Sequence, residues 1–355
     1  MTQPISPVSA TVPPVPSLAE DREADTARGD TGSTMPQNMP VGTPGRRSSL
    51  RLLKLLIGIP LIALIWWFVV RHVRGDLNEL RKQGWSTLHI RWTSLAVAFF
   101  FLLCARLTNA LNCRHVLAAM GQHATARQVI PIIWVASLGR YVPGKVHVVA
   151  GATMMLVRIG VEMTAALAAL FLSTALMILI SLITALPLLF VPAVRRHFPH
   201  GPVIALLGLA MAAIVLQPGV FPRLCNVVLR KLKRPALPQR LQLAPYLRAI
   251  CQTVLRIAFL GLALFFAATS LHPLQPRHYL LAVGSAGLAS FVGFLAVFSP
   301  AGLGVHESIY ILTFQTIIDP LSGLLAILFR LLNLLADAVT GLVGMVMLKD
   351  IVGPK

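Results

Sequence analysis

Long apolar runs separated by short polar or basic stretches organise this chain. A helix needs about 20 consecutive apolar residues to cross the hydrocarbon core of a bilayer. Runs near that length fall at 52–70, 93–112, 163–191, 202–217, 249–270, 279–299 and 323–348. Two shorter runs accompany them, at 129–139 and 308–318. The first is followed by Pro143-Gly144, which stops a straight helix and predicts a half-helix or re-entrant segment. The second is short for a straight crossing; it brings the count to eight spans if it crosses and re-enters otherwise. The pattern predicts an all-α polytopic transmembrane helix bundle of about eight spans, with two broken or re-entrant segments in pseudo-repeated halves.

Residues 1–45 do not share this pattern. They are rich in Pro, Ser, Thr and Gly and show no apolar periodicity, the composition of a disordered tail. Nor do they present a basic stretch, an apolar core and a small-residue cleavage site in the order of a signal peptide. The membrane domain is expected over 46–350.

Composition sharpens the membrane reading. Of the 355 residues, 56% are hydrophobic and only 12% charged, about half the charged share of a soluble domain. The net charge is +19, yet the basic residues sit between apolar runs, where anionic lipid headgroups attract them. Nucleic acid is therefore not the expected partner. Cys104, Cys113, Cys225 and Cys251 form no CxxC pair, so neither a disulfide framework nor a zinc site is indicated. The histidines lack metal-ligand spacing, and no cofactor or metal is expected.

Flanking charge gives an orientation. Arg46, Arg47, Arg51 and Lys54 precede or open the first span, and Trp66 and Trp67 lie near its far end, where interfacial aromatics belong. The stretch 223–248 carries seven basic residues and no acid, which places it in the cytoplasm. Counting back through four spans puts the N-terminus there too. Residues 71–91, with five basic residues, then fall outside, against the rule, as do Arg195 and Arg196.

Two stretches interrupt apolar sequence with Gly and Pro. One is Gly139-Arg140-Tyr141-Val142-Pro143-Gly144-Lys145-Val146-His147. The other is Ser299-Pro300-Ala301-Gly302-Leu303-Gly304-Val305-His306-Glu307. Each follows one apolar run and opens another, and one lies in each half of the chain. Breaks at corresponding places in two halves point to a transporter's binding site, because unwound backbone and helix N-termini offer polar groups to an anion. The plainer reading is a pair of interhelix turns.

Ionisable side chains inside the apolar runs are the second signal, since each costs at least about 2.5–3.5 kcal/mol at mid-bilayer unless it faces the bundle interior. Arg106 and Asn109 are three apart on one helical face. Arg330 and Asp337 share a face of the last span, either as binding groups or as a structural pair. Arg256 is close enough to the start of the 249–270 run to snorkel toward the interface. Glu307 is the only acid near either break, a partner for Lys145, Arg106 or Arg330, a proton acceptor, or a first-turn residue at the positive end of a helix. Ser285, Ala289 and Gly293, like Ala165 and Ala169, recur every four residues and predict close helix-packing faces.

The motifs carry a resemblance. RYVPGKVHVVAG followed by MLVRIG, and SPAGLGVHES followed by FRLLNLLADAVTGLVG, resemble the family of the lysylphosphatidylglycerol synthase transmembrane region, also called the flippase-like family. The resemblance covers roughly 50–350. It implies a multi-span domain that moves a modified phospholipid or a polyprenyl-linked lipid between leaflets of a bacterial inner membrane. Its motif positions fall on Tyr141, Pro143, Gly144, Lys145, Pro300, Gly302, Gly304, Glu307, Arg330 and Asp337. Where many relatives carry an acid, this chain has Ser173, and where many carry a basic residue before the glutamate it has His306. The aminoacyl-transferase domain of the full synthases has no polar segment here to house it, so a transporter rather than an enzyme is expected.

Three functions follow as expectations. One is a lipid translocase in which Arg106, Lys145 and Arg330 hold a phosphate headgroup and Glu307 balances them, all four converging on one cavity. Another is an accessory subunit of a neighbouring lipid synthase or glycosyltransferase. A lipid transferase is the third, disfavoured by the absence of a paired acidic motif. No GxxxxGK[ST] loop is present, so direct drive by ATP is not expected.

Overall fold

The computed structural model describes residues 90–141, 146–189, 200–231, 236–238, 240–296, 302 and 304–352. The predicted tail and the first predicted span, 52–70, lie outside the described residues. So do Pro143, Gly144, Lys145 and Pro300 of the two interrupted stretches.

Every element among the described residues is helical. They are α1 (Trp92–Ala119), α2 (Ala126–Ser137) with a 3-10 turn (Leu138–Tyr141), α3 (Val146–Arg158), α4 (Met163–Leu189) and α5 (Gly201–Val215). After them come α6 (Val220–Lys231), α7 (Leu243–Leu271), α8 (His278–Leu295), α9 (Val305–Ile318) and α10 (Ser322–Val352). Five of these, α1, α4, α7, α8 and α10, are long and apolar enough to cross a membrane. The protein is thus an integral membrane helix bundle. Its helices satisfy their backbone groups internally, as hydrocarbon requires.

The other predicted runs fold as shorter pieces. The 202–217 run is the 15-residue α5, and the 308–318 run is the 14-residue α9. The 129–139 run is the 12-residue α2, whose start is fixed by the Gln128 side chain accepting the Thr125 amide at 3.0 Å. α6 differs in kind: Phe221 and Pro222 face inward, while Arg223, Arg230 and Lys231 are exposed.

The two halves repeat the same order: a long helix, a shorter helix, a break, another short helix, then a long helix. α1, α2, α3 and α4 match α7, α8, α9 and α10. The packing repeats as well. α2 lies against α10 where α8 lies against α4, and each short helix packs on its own neighbours in both halves.

The long helices α1 and α7 form the axis of the bundle and run antiparallel. The Arg91 amide at the start of α1 donates to the Ser270 carbonyl at the end of α7 (3.0 Å). At the other end, the Gln242 amide donates to the Ala119 carbonyl (2.9 Å). Between them, Phe101 stacks on Phe259 and Phe266, and Asn112 donates to the Ala249 carbonyl and the Thr253 hydroxyl. Corresponding helices that run in opposite directions make the repeat an inverted one.

Two apolar cores result. One gathers the C-terminal part of α1 with α2, α3 and α4; the other gathers the N-terminal part of α1 with α7, α8, α9 and α10. Gly284 and Gly287 close the α4–α8 contact, where a methyl on Gly284 would overlap the Leu188 side chain. Ser285 and Ala289 are fully buried, and a methyl on Gly287 would overlap the Thr184 side chain and the Ser181 carbonyl. Ala165 and Ala169 are likewise buried.

Gly287→Val should destabilise the bundle by about 1–3 kcal/mol through overpacking. Gly151→Ala, where a methyl meets nothing within 4 Å, should be neutral. Thermal unfolding of both variants in detergent measures the difference.

Candidate functional site

The inverted arrangement places the middles of α1 and α7 at the same depth, and each carries an arginine there: Arg106 and Arg256. Around them lies a cavity with about 90 Å³ of space open to water centres, enough for several waters by the usual requirement of about 10–15 Å³ each. Both chain halves line it. Arg106, Arg140 and Tyr141 come from the first half; Arg256, His306, Glu307, Arg330, Asn333 and Asp337 come from the second.

Asp337 is the hub. It is 1% exposed. Its Oδ1 accepts from Arg106 Nε at 2.6 Å, and its Oδ2 accepts from the Tyr141 hydroxyl at 2.6 Å. Arg140 Nη1 stands 3.5 Å from the same Oδ2. Arg106, itself 8% exposed, also donates from Nη2 to Asn333 Oδ1 (2.9 Å), and its backbone carbonyl accepts from the Trp134 indole (3.3 Å). Charge-assisted bonds of this kind hold a buried ion in place where a lone charge would be expelled.

Glu307 is the second hub and combines two of the alternatives its position left open, the first-turn residue and the partner of Arg330. It sits in the first turn of α9, and its Oε2 accepts the Gly304 amide at 2.7 Å, so it caps its own helix. Its Oε1 stands 3.6 Å from Arg330 Nε. Gly304 (φ 83°) and Gly302 (φ 67°) occupy the left-handed region, which favours glycine. A methyl on Gly302 or on Gly293 would overlap the His306 ring, so two glycines make the slot that seats this imidazole beside the cavity. Tyr310 closes the apolar side, edge-on to Phe329 with ring centres 5.4 Å apart.

A second cavity occupies the corresponding place in the first half, with about 140 Å³ open to water centres. Val148, Leu170 and Thr174 line it at the helical positions that Glu307, Phe329 and Asn333 hold in the other half. It also carries Asn109, Ser137 and Ser173, and the Ser173 hydroxyl is buried without a hydrogen-bond partner among the described residues. Arg140 lines both cavities.

Several expectations meet here and others are corrected. Arg106, Glu307 and Arg330 do converge on one cavity, joined by Arg140, Tyr141, His306 and Asp337. Lys145 lies outside the described residues. Arg330 and Asp337 share a helix face yet are not each other's partners; each pairs across the bundle. Asn109 does not accompany Arg106. Three residues advance a helix by 300°, so the 60° shortfall turns Asn109 into the second cavity.

Arg256 does not sit near a helix end. α7 begins at Leu243, six residues before the apolar run suggested, so Arg256 lies more than three turns inside and lines the cavity. The Arg248 charge masked the true start. Asn333, Ser290 and Tyr310 also line the cavity, and nothing in their own sequence context marks them.

No protein-family model matches the chain, and no curated protein matches it.

Asp337→Asn leaves the buried Arg106 guanidinium without its carboxylate, and the half-buried Arg140 without its only acid among the described residues, and should cost about 3–5 kcal/mol. Tyr141→Phe removes one hydrogen bond to a charged group and should cost about 1.5–3 kcal/mol. Denaturant unfolding in detergent micelles, with both single variants and the double, tests the ranking; Tyr141→Phe should cost much less once Asp337 is Asn.

Proposed function

We propose that this chain is a lipid translocase of a bacterial inner membrane, moving a lipid with an anionic headgroup from one leaflet to the other. The observation that carries the reading is an ion-lined cavity inside an apolar bundle, built jointly by two inverted halves. Ionisable groups inside a membrane domain are costly and mark a path for polar cargo. Inverted halves with broken helices supply two related ways of opening such a site to either face. The headgroup would occupy the cavity while the acyl or prenyl chains remain in the bilayer.

The resemblance of both interrupted stretches to the flippase-like family supports the same reading, and we place the chain there as a divergent member. Asp337 and Glu307 are both engaged by guanidinium groups, which favours binding over general-base chemistry. Arg106 and Arg330, already paired, would exchange part of their contact with carboxylate for contact with the headgroup. That exchange needs no nucleotide, so transport would follow a gradient of the lipid or of an ion.

Leaflet exchange of labelled phospholipids in proteoliposomes tests this. The intact chain should speed exchange, and Glu307→Gln or Arg330→Ala should slow it at least about tenfold, the effect of losing one buried charged contact. Unchanged exchange in both variants would remove these residues from the path. Absence of exchange for every lipid tried would favour an accessory subunit of a lipid synthase or glycosyltransferase.

A further inference from the structure

Among the described residues, the arginines that line the cavity outnumber its carboxylates. Four guanidiniums line it, from Arg106, Arg140, Arg256 and Arg330, against two carboxylates, from Glu307 and Asp337. Arg106 is matched to Asp337 at 2.6 Å and Arg330 to Glu307 at 3.6 Å. Arg140 reaches Asp337 only as its second cation, at 3.5 Å. Arg256 has no carboxylate within ion-pair distance among the described residues, and its Nη1 is buried without a hydrogen-bond partner. Among the described arginines and carboxylates that line the cavity, two positive charges are left over.

A buried cation with unsatisfied N–H groups is a standing cost unless something else supplies the anion. The geometry points to a cargo that carries two negative charges on one compact group: a lipid-borne phosphomonoester, gripped by Arg256 and Arg140. A phosphomonoester bears about −1.5 to −2 at neutral pH, which matches the surplus. A phosphodiester such as phosphatidylglycerol bears one charge and leaves one arginine unanswered. Cardiolipin bears two, but on separated phosphates. Guanidinium forks bind phosphoryl oxygens two at a time, and Arg256 lines the cavity with no carboxylate of its own among the described residues.

This inference rests on the reading of the cavity as a headgroup site, and it is tested by binding rather than transport. The full chain is placed in phosphatidylcholine nanodiscs. Affinity is measured for dioleoyl phosphatidic acid, dioleoyl phosphatidylglycerol and cardiolipin, with inorganic phosphate as the soluble competitor. Phosphatidic acid should bind at least about tenfold tighter than phosphatidylglycerol of the same chains, the worth of one more charged contact. Arg256→Gln should erase that preference, Arg256→Lys should keep part of it, and Arg223→Gln on the exposed face of α6 should keep all of it.

Arg256→Gln should not lower the melting temperature, because it removes an unpaired charge rather than a bonded one; a fall of several degrees would mean that Arg256 is a structural residue and would overturn the assignment. Equal affinity for the monoester and the diester, equal loss for both lipids in Arg256→Gln, or tighter binding of cardiolipin would overturn it too. Competition by inorganic phosphate as strong as that by phosphatidic acid would overturn the lipid-borne part. Monoester preference without leaflet exchange would sink the translocase reading alone. Exchange without monoester preference would sink this one alone.

Discussion

A carboxylate surrounded by hydrocarbon persists only while cations and donors face it, and Asp337 is held by groups that arrive from two other places in the chain. Arg106 comes from the middle of α1, and Arg140 and Tyr141 from the break after α2. Asp337 itself comes from α10, which packs against both α1 and α2. One buried anion thus ties the first half of the molecule to the last helix. Removing it would leave the partners charged and unanswered, a larger penalty than the pair's net contribution when intact.

The symmetry of the bundle explains where this cluster lies and why it is lopsided. α1 and α7 cross antiparallel, and each carries an arginine near its middle that reaches the charged cavity. The acids are not equivalent. Val148 and Thr174 stand in the first half where Glu307 and Asn333 stand in the second. The result is one charged cavity and one nearly neutral cavity, with Arg140 in the wall of both. A repeated scaffold keeps the geometry similar, while substitutions on it make the two sites chemically distinct. The glycine pair around His306 belongs to this local specialisation: Gly293 on α8 and Gly302 in the break leave room for a ring that no other side chains would admit.

Much of the architecture was legible in the chain because lipid imposes a simple rule. Only continuous apolar helices of sufficient length satisfy their backbone inside a bilayer, so α1, α4, α7, α8 and α10 announce themselves. The Gly-Pro interruptions announce the breaks, and the small-residue stripe of Ser285, Ala289 and Gly293 announces a close contact. Charges inside apolar runs named Arg106, Arg330 and Asp337 for the same reason, since such residues are rare without a partner. Helix ends were less legible. Apolarity fades before the helix does, and for that reason Arg256 looked close to an interface when α7 had already run for three turns.

The sequence by itself determined that the protein lives in a membrane, that it is helical, that two similar interruptions fall one in each half, and that Arg106, Arg330 and Asp337 lie inside apolar runs. These depend on composition and periodicity, which are local. Only the tertiary structure decided the pairing: Arg106 with Asp337 rather than with Glu307, Arg330 with Glu307 rather than with Asp337, and Asn109 in a different cavity from its helical neighbour. It alone brought Arg256 into the charged cluster and left its donor unmatched. Ion pairing is a property of distance between helices, and no spacing along one helix encodes how far away the next one lies.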